Sequence, residues 1–306
     1  MASPRKLRLQ VPASTSNIGP GFDTFSIAVN TGLEVRFSAA EKNSLERLGG
    51  LTESPLRIGQ DPVMRGMRRA ARLLGKTLPP GNLVVSAPYP PGRGLGASGS
   101  GIVAGLLLGN RLCGGGLPQE ELLLEAVSLE GNPENAVAAL LGGAHWSVAD
   151  DTGGHLHLPI TLHRHLRFLF VIPPYPMPTA EARKVLPSTV PHATAVRQMQ
   201  QGPLLLRGLK TLDPELIRLG LRDELHVKAR LPLMAGAKAM IRFAVEAGAI
   251  GATLSGAGSS LLVLTRTGEV RNLEMRLKKR VQRLWGESGQ VLAAKAQHKG
   301  AEFLRS

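Results

Sequence analysis

The feature that most constrains this chain is a glycine-rich segment at residues 91–101, which reads Pro-Gly-Arg-Gly-Leu-Gly-Ala-Ser-Gly-Ser-Gly. Its five glycines allow positive φ angles and a close approach of the backbone to a ligand. A predicted strand at 83–86 precedes it, and the apolar run that ends at residue 112 predicts a helix that begins near Ser100. Because helix N-termini attract anions, the segment predicts a phosphate-binding loop. A glycine-rich connection without a ligand is the alternative.

Two well-known kinds of phosphate loop are excluded. No Gly-Lys-Ser or Gly-Lys-Thr follows the segment, as a Walker A loop would need. The catalytic His-Arg-Asp set of the protein kinases does not occur downstream. If the loop binds a nucleotide, it therefore belongs to another kind of kinase.

Two polar side chains are candidates for a metal site beside this loop. Glu130 lies in the segment Glu-Gly-Asn-Pro-Glu-Asn at 130–135. A carboxylate next to a triphosphate suits Mg²⁺, which takes hard oxygen ligands from one or two side chains together with phosphates and water. The hydroxyl of Ser98 is its natural companion. Alone, Glu130 is typical of an exposed helix end, but the nearby loop favours the metal interpretation.

A second glycine-rich turn lies at residues 251–259, Gly-Ala-Thr-Leu-Ser-Gly-Ala-Gly-Ser, before the predicted strand 260–265. Two such loops rarely arise together from turn chemistry alone. We expect them to face one nucleotide from two domains.

The composition allows two ordinary domains. A chain of 306 residues can bury a core in each, and a hydrophobic content of 43% is typical of a globular protein. No apolar stretch approaches the roughly 18 residues of a membrane-spanning helix, and the start of the chain does not resemble a signal peptide. The single cysteine, Cys113, excludes an intrachain disulfide and predicts a cytoplasmic location.

The formal net charge of +14 has two interpretations. Clustered Lys and Arg would neutralise the phosphates of a nucleic acid. However, only 4% of the residues are aromatic, and the densest basic cluster, 271–283, has the spacing of an exposed helix face. An anionic substrate such as a nucleotide, with a general bias toward Arg, is the simpler explanation, and we expect no nucleic-acid partner.

The predicted elements favour an α+β fold, because strands and helices alternate without a regular βαβ order. Pro118 and Asn132-Pro133 each begin a further helix. We expect a domain boundary near residue 160, which gives domains at 1–160 and 161–306. Loops are predicted at 12–23 and 251–258. The remaining predicted strands are 5–11, 33–38, 166–172 and 289–293, and the remaining predicted helices are 62–75, 179–186, 191–209, 213–224, 232–247 and 269–286.

Three separated segments resemble, in order and spacing, the three motifs of the GHMP kinase superfamily. They are residues 12–23, Pro-Ala-Ser-Thr-Ser-Asn-Ile-Gly-Pro-Gly-Phe-Asp, the segment 91–101, and residues 254–258, Leu-Ser-Gly-Ala-Gly. The first motif looks like that of the homoserine kinases rather than the mevalonate or galactose members. The resemblance continues through 130–135, 179–187 and 222–226, so it covers almost the whole chain.

This resemblance implies a two-domain GHMP kinase fold. The N-terminal, ATP-binding domain would be similar to domain 2 of ribosomal protein S5, and the C-terminal domain would be ferredoxin-like. The implied activity is phosphotransfer from ATP, with Mg²⁺, to an alcohol group. Its acceptor would be the side-chain hydroxyl of L-homoserine, giving O-phospho-L-homoserine in threonine biosynthesis. No membrane partner is implied. A homodimer is compatible with the resemblance, and the sequence does not determine the oligomeric state.

The resemblance also implies roles for individual residues. Ser98 and Glu130 would hold Mg²⁺. Asn17 and Asp23 would be the catalytic pair at the substrate, with Asp23 beside its ammonium group; a role for Asp23 as the base is the weaker hypothesis. Arg183 and Arg230 would face the carboxylate, with Thr179 nearby, because the guanidinium fork matches a carboxylate. The ATP site would contain Pro91, Gly92, Arg93, Gly94, Leu95, Gly96, Ala97, Ser98, Gly99, Ser100, Gly101, Ser255, Gly256, Ala257 and Gly258.

Several positions depart from the family pattern. Ala97 replaces the usual Ser, Asn132 and Glu134 replace the usual His and Asp, and Ala229 replaces a Tyr. These changes concern the substrate more than the reaction, so a related hydroxy acid such as L-threonine stays open as the acceptor. An RNA- or ribosome-associated binding module, suggested by the charge and the S5-like domain, is the alternative from another class.

Histidines recur between residues 155 and 165. His155, His157, His163 and His165 have the i, i+2 spacing of one face of a strand. Zinc binding is one interpretation. A polar hairpin near the domain junction is favoured, because no Cys or carboxylate cluster lies beside them.

Overall fold

The structure is a computed structural model that describes residues 6–52, 54–149 and 154–305. Within these ranges, seven strands form one sheet and four form a second. The first sheet contains β1 (Lys6–Ser16), β2 (Phe25–Ala39), β3 (Ser44–Gly49), β4 (Gly81–Ala87), β5 (Ala144–Ala149), β6 (His155–Pro159) and β11 (Glu302–Leu304). The second contains β7 (Leu166–Ile172), β8 (Gly251–Leu254), β9 (Leu261–Arg266) and β10 (Gln290–Ala294).

Ten α-helices accompany the sheets in the described ranges. They are α1 (Pro62–Leu73), α2 (Ala97–Leu112), α3 (Gln119–Glu130), α4 (Pro133–Leu141), α5 (Thr179–Lys184), α6 (His192–Thr211), α7 (Pro214–Gly220), α8 (Val227–Arg230), α9 (Ala237–Glu246) and α10 (Val270–Trp285). None of the described helices is long and apolar enough to cross a lipid bilayer.

The first sheet has the order β11-β1-β2-β4-β3, with β5 added to β2 and β6 to β5. Its pairs are antiparallel except β3 with β4. The helices α2 and α4 pack on β1 and β2. Because β11 returns from the end of the chain to pair with β1, this sheet contains residues from both ends. The division at residue 160 stays a prediction.

The second sheet lies between two hydrophobic clusters, and the side chains of β7 alternate between them. Phe168 and Phe170 belong to the core shared with the first sheet, whereas Leu169 and Val171 face the core under α9 and α10. This explains why β7 is almost continuously apolar, since both of its faces are buried. The order of this sheet is β10-β7-β9-β8, entirely antiparallel, as an α+β fold requires.

Two predicted loops begin as strands. Residues 12–16 continue β1 after an irregularity between Pro12 and Ala13, and only 17–24 form the turn. Residues 251–254 form β8, so the second glycine-rich turn begins after Leu254. Gly32 lies inside β2. The backbone of β1 passes so close to it that a Cβ at this position would lie 2.1 Å from the Val11 carbonyl oxygen. At 12–16 and 251–254, pairing with a neighbouring strand therefore determines the structure, although the residues themselves favour turns.

The helices α1 and α2 approach each other closely, which fixes the start of α2. A Cβ on Gly105 would lie 2.0 Å from the carbonyl oxygen of Val63. Asp61 caps α1 through the Val63 N–H at 2.9 Å, and its other carboxylate oxygen accepts from Arg47 of β3 at 3.0 Å. The start of α1 is thereby tied to the sheet beside the glycine-rich segment.

Of the four histidines between 155 and 165, only the first two lie in a hairpin, which β5 and β6 form. His155 and His157 lie on β6, and His157 Nδ1 is 3.0 Å from Ser147 Oγ on β5. The tip at 150–153 lies outside the described residues. His163 and His165 lie in the turn before β7, so the expectation that they share a strand face was wrong. In the part of the chain that is described, no three His, Cys, Asp or Glu side chains cluster to hold a metal.

Candidate active site

The two glycine-rich turns meet at one cavity of about 360 Å³. Residues 91–98 and Gly101 line one side, and residues 256–258 line another. Arg47, Leu51 and Leu56 also line the cavity, together with residues at the start of α1. Gly99, Ser100 and Ser255 lie beneath the surface of this cavity. The sequence did not predict that Arg47, Leu51, Leu56 and the start of α1 would line this cavity.

Hydrogen bonds hold the two turns and the first motif together. Ser255 Oγ donates to the Gly94 carbonyl oxygen at 2.6 Å, and the Ser260 N–H donates to the Arg93 carbonyl oxygen at 3.2 Å. The Gly256 N–H donates to the Ser16 carbonyl oxygen at 2.9 Å. Segments far apart in the chain thus form one rigid wall.

The N-terminus of α2 opens into this cavity. Its N-cap, Gly96, has a φ of 68°, and no side chain among the described residues caps the helix. The hydroxyl of Ser100 is turned inward and donates to the Pro12 carbonyl oxygen at 2.8 Å. An uncapped helix N-terminus leaves N–H groups available to an anion.

Arg93 is buried beneath the loop. Its guanidinium donates to the carbonyl oxygens of Pro173 at 3.1 Å, Pro174 at 2.8 Å and Pro91 at 3.2 Å. Its side chain therefore anchors the loop to the segment after β7 and is not solvated.

Ser98 and Glu130 come together as the metal hypothesis requires. Ser98 Oγ donates to Glu130 Oε2 at 2.8 Å. Burial raises the pKa of Glu130, while the Ser98 hydrogen bond and the charge of Arg65 oppose that rise. A hydroxyl and a carboxylate that line the same cavity as the glycine-rich loop are hard oxygen donors of the kind that Mg²⁺ takes. The donor set fits this ion.

A second cavity of about 210 Å³ adjoins the first. Asn17, Thr179, Arg183 and Arg230 line it, as predicted for the substrate side, together with Asn132 and Glu134. Asp23 lies beside it, since one Nη2 atom of Arg183 donates to Asp23 Oδ1 and to Asn132 Oδ1, each at 2.7 Å.

The turn at 17–23 has an unusual backbone. Asn17 and Asp23 have φ angles of 58° and 54°, in a region that favours Gly and Asn. Asn17 Oδ1 accepts the N–H of Asp23 at 2.7 Å, which closes the turn. The side chain of Asn17 therefore shapes the turn that presents Asp23.

Arg183 and Arg230 both contact the ring of Phe22. The Phe22 ring lies 5.4 Å from the guanidinium carbon of Arg183 and 5.1 Å from that of Arg230, within the range of cation–π contacts. Arg230 is buried and donates through Nε to the Ala182 carbonyl oxygen at 3.0 Å. Burial and the charge of Arg183 lower the pKa of Arg230 to about 10, so it stays charged near neutrality.

His226 lies next to the guanidinium of Arg230. It is fully buried, and burial lowers its pKa, so the ring is neutral near pH 7. Its Nδ1 lies 3.3 Å from Arg230 Nη1. A neutral imidazole can accept that N–H, which gives His226 a structural role in positioning Arg230.

Comparisons with known proteins identify the family. Residues 63–143 match the family described as GHMP kinases N terminal domain, and 205–282 match GHMP kinases C terminal. Homoserine kinase of Thermus thermophilus is 37% identical over 264 residues, 86% of this chain and 88% of that protein. The homoserine kinase of Thermosynechococcus vestitus is 36% identical over 83% of this chain and 84% of that protein.

The chain belongs to the homoserine kinase branch of the GHMP kinase family.

Solved structures confirm the fold of this GHMP kinase. The homoserine kinase from Cytophaga hutchinsonii has a TM-score of 0.84 at 24% identity and covers 99% of both chains. The mevalonate kinase of L. major, in complex with R-mevalonate, has a TM-score of 0.75 at 16% identity and covers 98% of this chain and 100% of that chain. The predicted two-domain α+β GHMP kinase fold is thus confirmed.

Sequence reasoning missed Glu134 as a site residue of this GHMP kinase. Its side chain is buried, and Oε2 has no hydrogen-bond partner within the described ranges. Burial, with the negative charges of Asp23 and Glu130, raises the pKa of Glu134 to about 7. The sequence offered one signal for this role, since the family usually has an Asp at this position. The burial of the carboxylate, however, depends on packing between distant segments.

A pH dependence of stability follows from Glu134. Its folded pKa of about 7 lies above the ordinary 4.5, so the folded protein holds this proton more tightly. Stability from this group is present below pH 4.5 and is lost as the pH rises toward 7. The loss is at most about 3 kcal/mol. Urea unfolding at pH 5, 6, 7 and 8 should show a steeper fall for the parent chain than for Glu134→Gln, and parallel curves would contradict this.

The contact between the two glycine-rich turns gives a second test. Ala at position 94 would place Cβ 2.0 Å from the Ser255 carbonyl oxygen, at a φ of 70°. Gly75 is a matched control, with a φ of 61° and no atom within 4 Å of its Cβ position. We expect Gly75→Ala to lower the unfolding free energy by about 1 kcal/mol. Gly94→Ala should cost at least about 2 kcal/mol more. Equal losses in urea unfolding would show that the turns do not need this contact.

Proposed function

We propose that this chain is a homoserine kinase that transfers the γ-phosphoryl group of ATP to the side-chain hydroxyl of L-homoserine. The products are O-phospho-L-homoserine and ADP. One observation carries the proposal: the glycine-rich cavity and a cavity lined by two arginines and a buried carboxylate meet at the Ser98–Glu130 pair. That arrangement suits a nucleotide on one side and a small zwitterion on the other.

The first cavity suits ATP. The N–H groups at the start of α2 and the backbone of 91–98 would bind the phosphates, and residues 256–258 would face them from the second turn. Leu51 and Leu56 line the same cavity and would offer apolar contacts to a base. Ser98 and Glu130 would hold Mg²⁺, which supplies charge neutralisation to the phosphates when bound.

The second cavity suits an amino acid. Arg183 and Arg230 would bind its carboxylate. Asp23 would receive its ammonium group, together with Glu134 Oε2, which has no hydrogen-bond partner among the described residues. Asn17 shapes the turn below Asp23, and Thr179 offers a hydroxyl at the boundary with the nucleotide cavity. Charged groups of both signs are thereby matched to the two ends of the substrate.

Positioning supplies most of the catalysis in this account. The hydroxyl oxygen attacks the γ-phosphorus while the bond from that phosphorus to ADP breaks, and the hydroxyl proton is released to solvent water. Asp23 is paired with Arg183 at 2.7 Å, so we assign it to substrate binding rather than to proton abstraction. Holding both reactants in line is sufficient to convert the reaction into an effectively unimolecular step.

One observation favours a second candidate acceptor. Asn132, which stands in place of the usual His, is bonded to Arg183 and alters the wall of the substrate cavity. A β-hydroxy acid such as L-threonine is the alternative substrate. The cytoplasmic location and a homodimer remain part of the proposal.

A coupled assay of ADP release tests the proposal. It uses Mg-ATP with L-homoserine, L-threonine, L-serine and D-homoserine in parallel. Turnover that depends on L-homoserine, at a kcat/KM at least about 100-fold above the others, is the expected result. Turnover only with L-threonine would select the alternative acceptor. No turnover with any of them, together with salt-sensitive RNA binding, would favour the binding-module interpretation.

A further inference from the structure

The two cavities share a wall of six residues. Each of these residues lines both cavities: Arg65, Ser98, Glu130, Asn135, Thr179 and Ala257. A phosphoryl group that passes from a nucleotide on one side to an acceptor on the other must cross this wall. The wall therefore contains the groups that can act on the phosphoryl group during transfer.

Arg65 is the cationic member of this wall. It lies on α1, and its Nη2 donates to the carbonyl oxygen of Leu129 at 3.2 Å. That bond holds the guanidinium near Glu130, close enough for its charge to oppose the rise that burial causes in the pKa of that carboxyl. A guanidinium has five N–H donors, so most of them stay available in the part of the chain that is described.

Other arginines near the nucleotide cavity are already engaged. Arg47 donates through Nε and Nη2 to Asp61 at 3.1 and 3.0 Å. Arg93 donates to three backbone carbonyl oxygens below the loop. Arg183 and Arg230 lie on the acceptor side. Arg65 is thus the arginine placed where the outermost phosphate of a nucleotide would meet the acceptor.

We propose that Arg65 binds the γ-phosphoryl group and neutralises its charge during transfer, a role that rests on the proposed kinase function. As the bond between the γ-phosphorus and ADP breaks and the bond to the acceptor oxygen forms, negative charge spreads over the γ-phosphoryl and ADP oxygens. A guanidinium at the boundary of the two cavities meets that charge directly. This contact is separate from the loop and from the Ser98–Glu130 pair.

Binding of two nucleotides tests the proposal without turnover. The affinities of Mg-ADP and of the non-hydrolysable triphosphate AMPPNP are measured by calorimetry for the parent chain, Arg65→Gln and Arg65→Lys. Because ADP lacks the γ-phosphate, Arg65→Gln should weaken AMPPNP binding at least about ten-fold and change ADP binding less than about three-fold. Arg65→Lys should lie between the parent chain and Arg65→Gln.

Arg68→Gln is the matched control. Arg68 lies one turn further along α1, is also exposed, and also donates one hydrogen bond to a backbone carbonyl oxygen, that of Gly59 at 3.0 Å. It lines neither cavity. Its nucleotide affinities and kcat should match those of the parent chain, whereas Arg65→Gln should lower kcat by about 10² to 10³.

Two results would overturn the assignment of Arg65. One is unchanged AMPPNP affinity in Arg65→Gln, and the other is an equal loss for ADP and AMPPNP, which would indicate a structural effect on the whole site. Failure of the proposed function has a different signature. In that case the parent chain binds both nucleotides but does not phosphorylate L-homoserine, whatever the residue at position 65.

Discussion

Replacing Glu130 by Gln is expected to lower kcat by about 10² to 10³ and to raise the Mg²⁺ concentration for half-maximal activity at least about ten-fold. The amide keeps the size of the side chain and can still accept the Ser98 hydroxyl, which now bonds to Glu130 at 2.8 Å. It removes the negative charge that would attract the ion. The measurement is initial rate against Mg²⁺ concentration at saturating ATP.

Glu125→Gln is the control for this prediction. Glu125 lies on the same helix, α3, and pairs with Arg69 on α1 away from both cavities. We expect its loss to leave the Mg²⁺ dependence unchanged. If Glu130→Gln and Glu125→Gln behave alike, Glu130 does not hold the metal.

Replacing Arg183 by Gln is expected to raise the KM for L-homoserine by about 100-fold, because a charge-assisted pair of hydrogen bonds to the substrate carboxylate is lost. Arg183 is half-buried, so the change removes little buried surface, and the lost packing contact is the one with the Phe22 ring at 5.4 Å. The affinity for Mg-ADP should stay within about two-fold, since Arg183 lines only the acceptor cavity.

The neighbouring Lys184 supplies the control for Arg183. It is exposed and pairs with Glu181 at 2.7 Å on the outer side of α5. Lys184→Gln should leave both the KM and the nucleotide affinity unchanged. A KM for L-homoserine that is unaffected in Arg183→Gln, or an equal loss of ADP affinity, would remove Arg183 from the substrate site.

The sequence was informative where function depends on a short segment. The backbone of 91–101, its exit into α2, and the pairing of Ser98 with Glu130 could be predicted because glycine spacing and hard oxygen donors are local signals. The same reasoning failed at 251–254, where turn-forming residues are held in β8 by pairing with β9. Pairing between distant strands is not encoded in a local pattern.

Contacts between distant segments account for the site residues that the sequence did not indicate. Phe22 supports Arg183 and Arg230, which come from the other half of the chain. Glu134 resembles an ordinary first-turn acid, and its raised pKa arises only when Asp23 and Glu130 are packed around it. Arg65 resembles one of several exposed basic residues on α1 until the two cavities are seen to meet beside it.

The most direct test of the central claim is phosphorus NMR of a reaction that contains the parent chain, Mg-ATP and L-homoserine. We expect one new phosphomonoester signal that grows in equal amount with ADP and has the chemical shift of synthetic O-phospho-L-homoserine. Formation of inorganic phosphate without the ester, or no dependence of ATP consumption on L-homoserine, would contradict it.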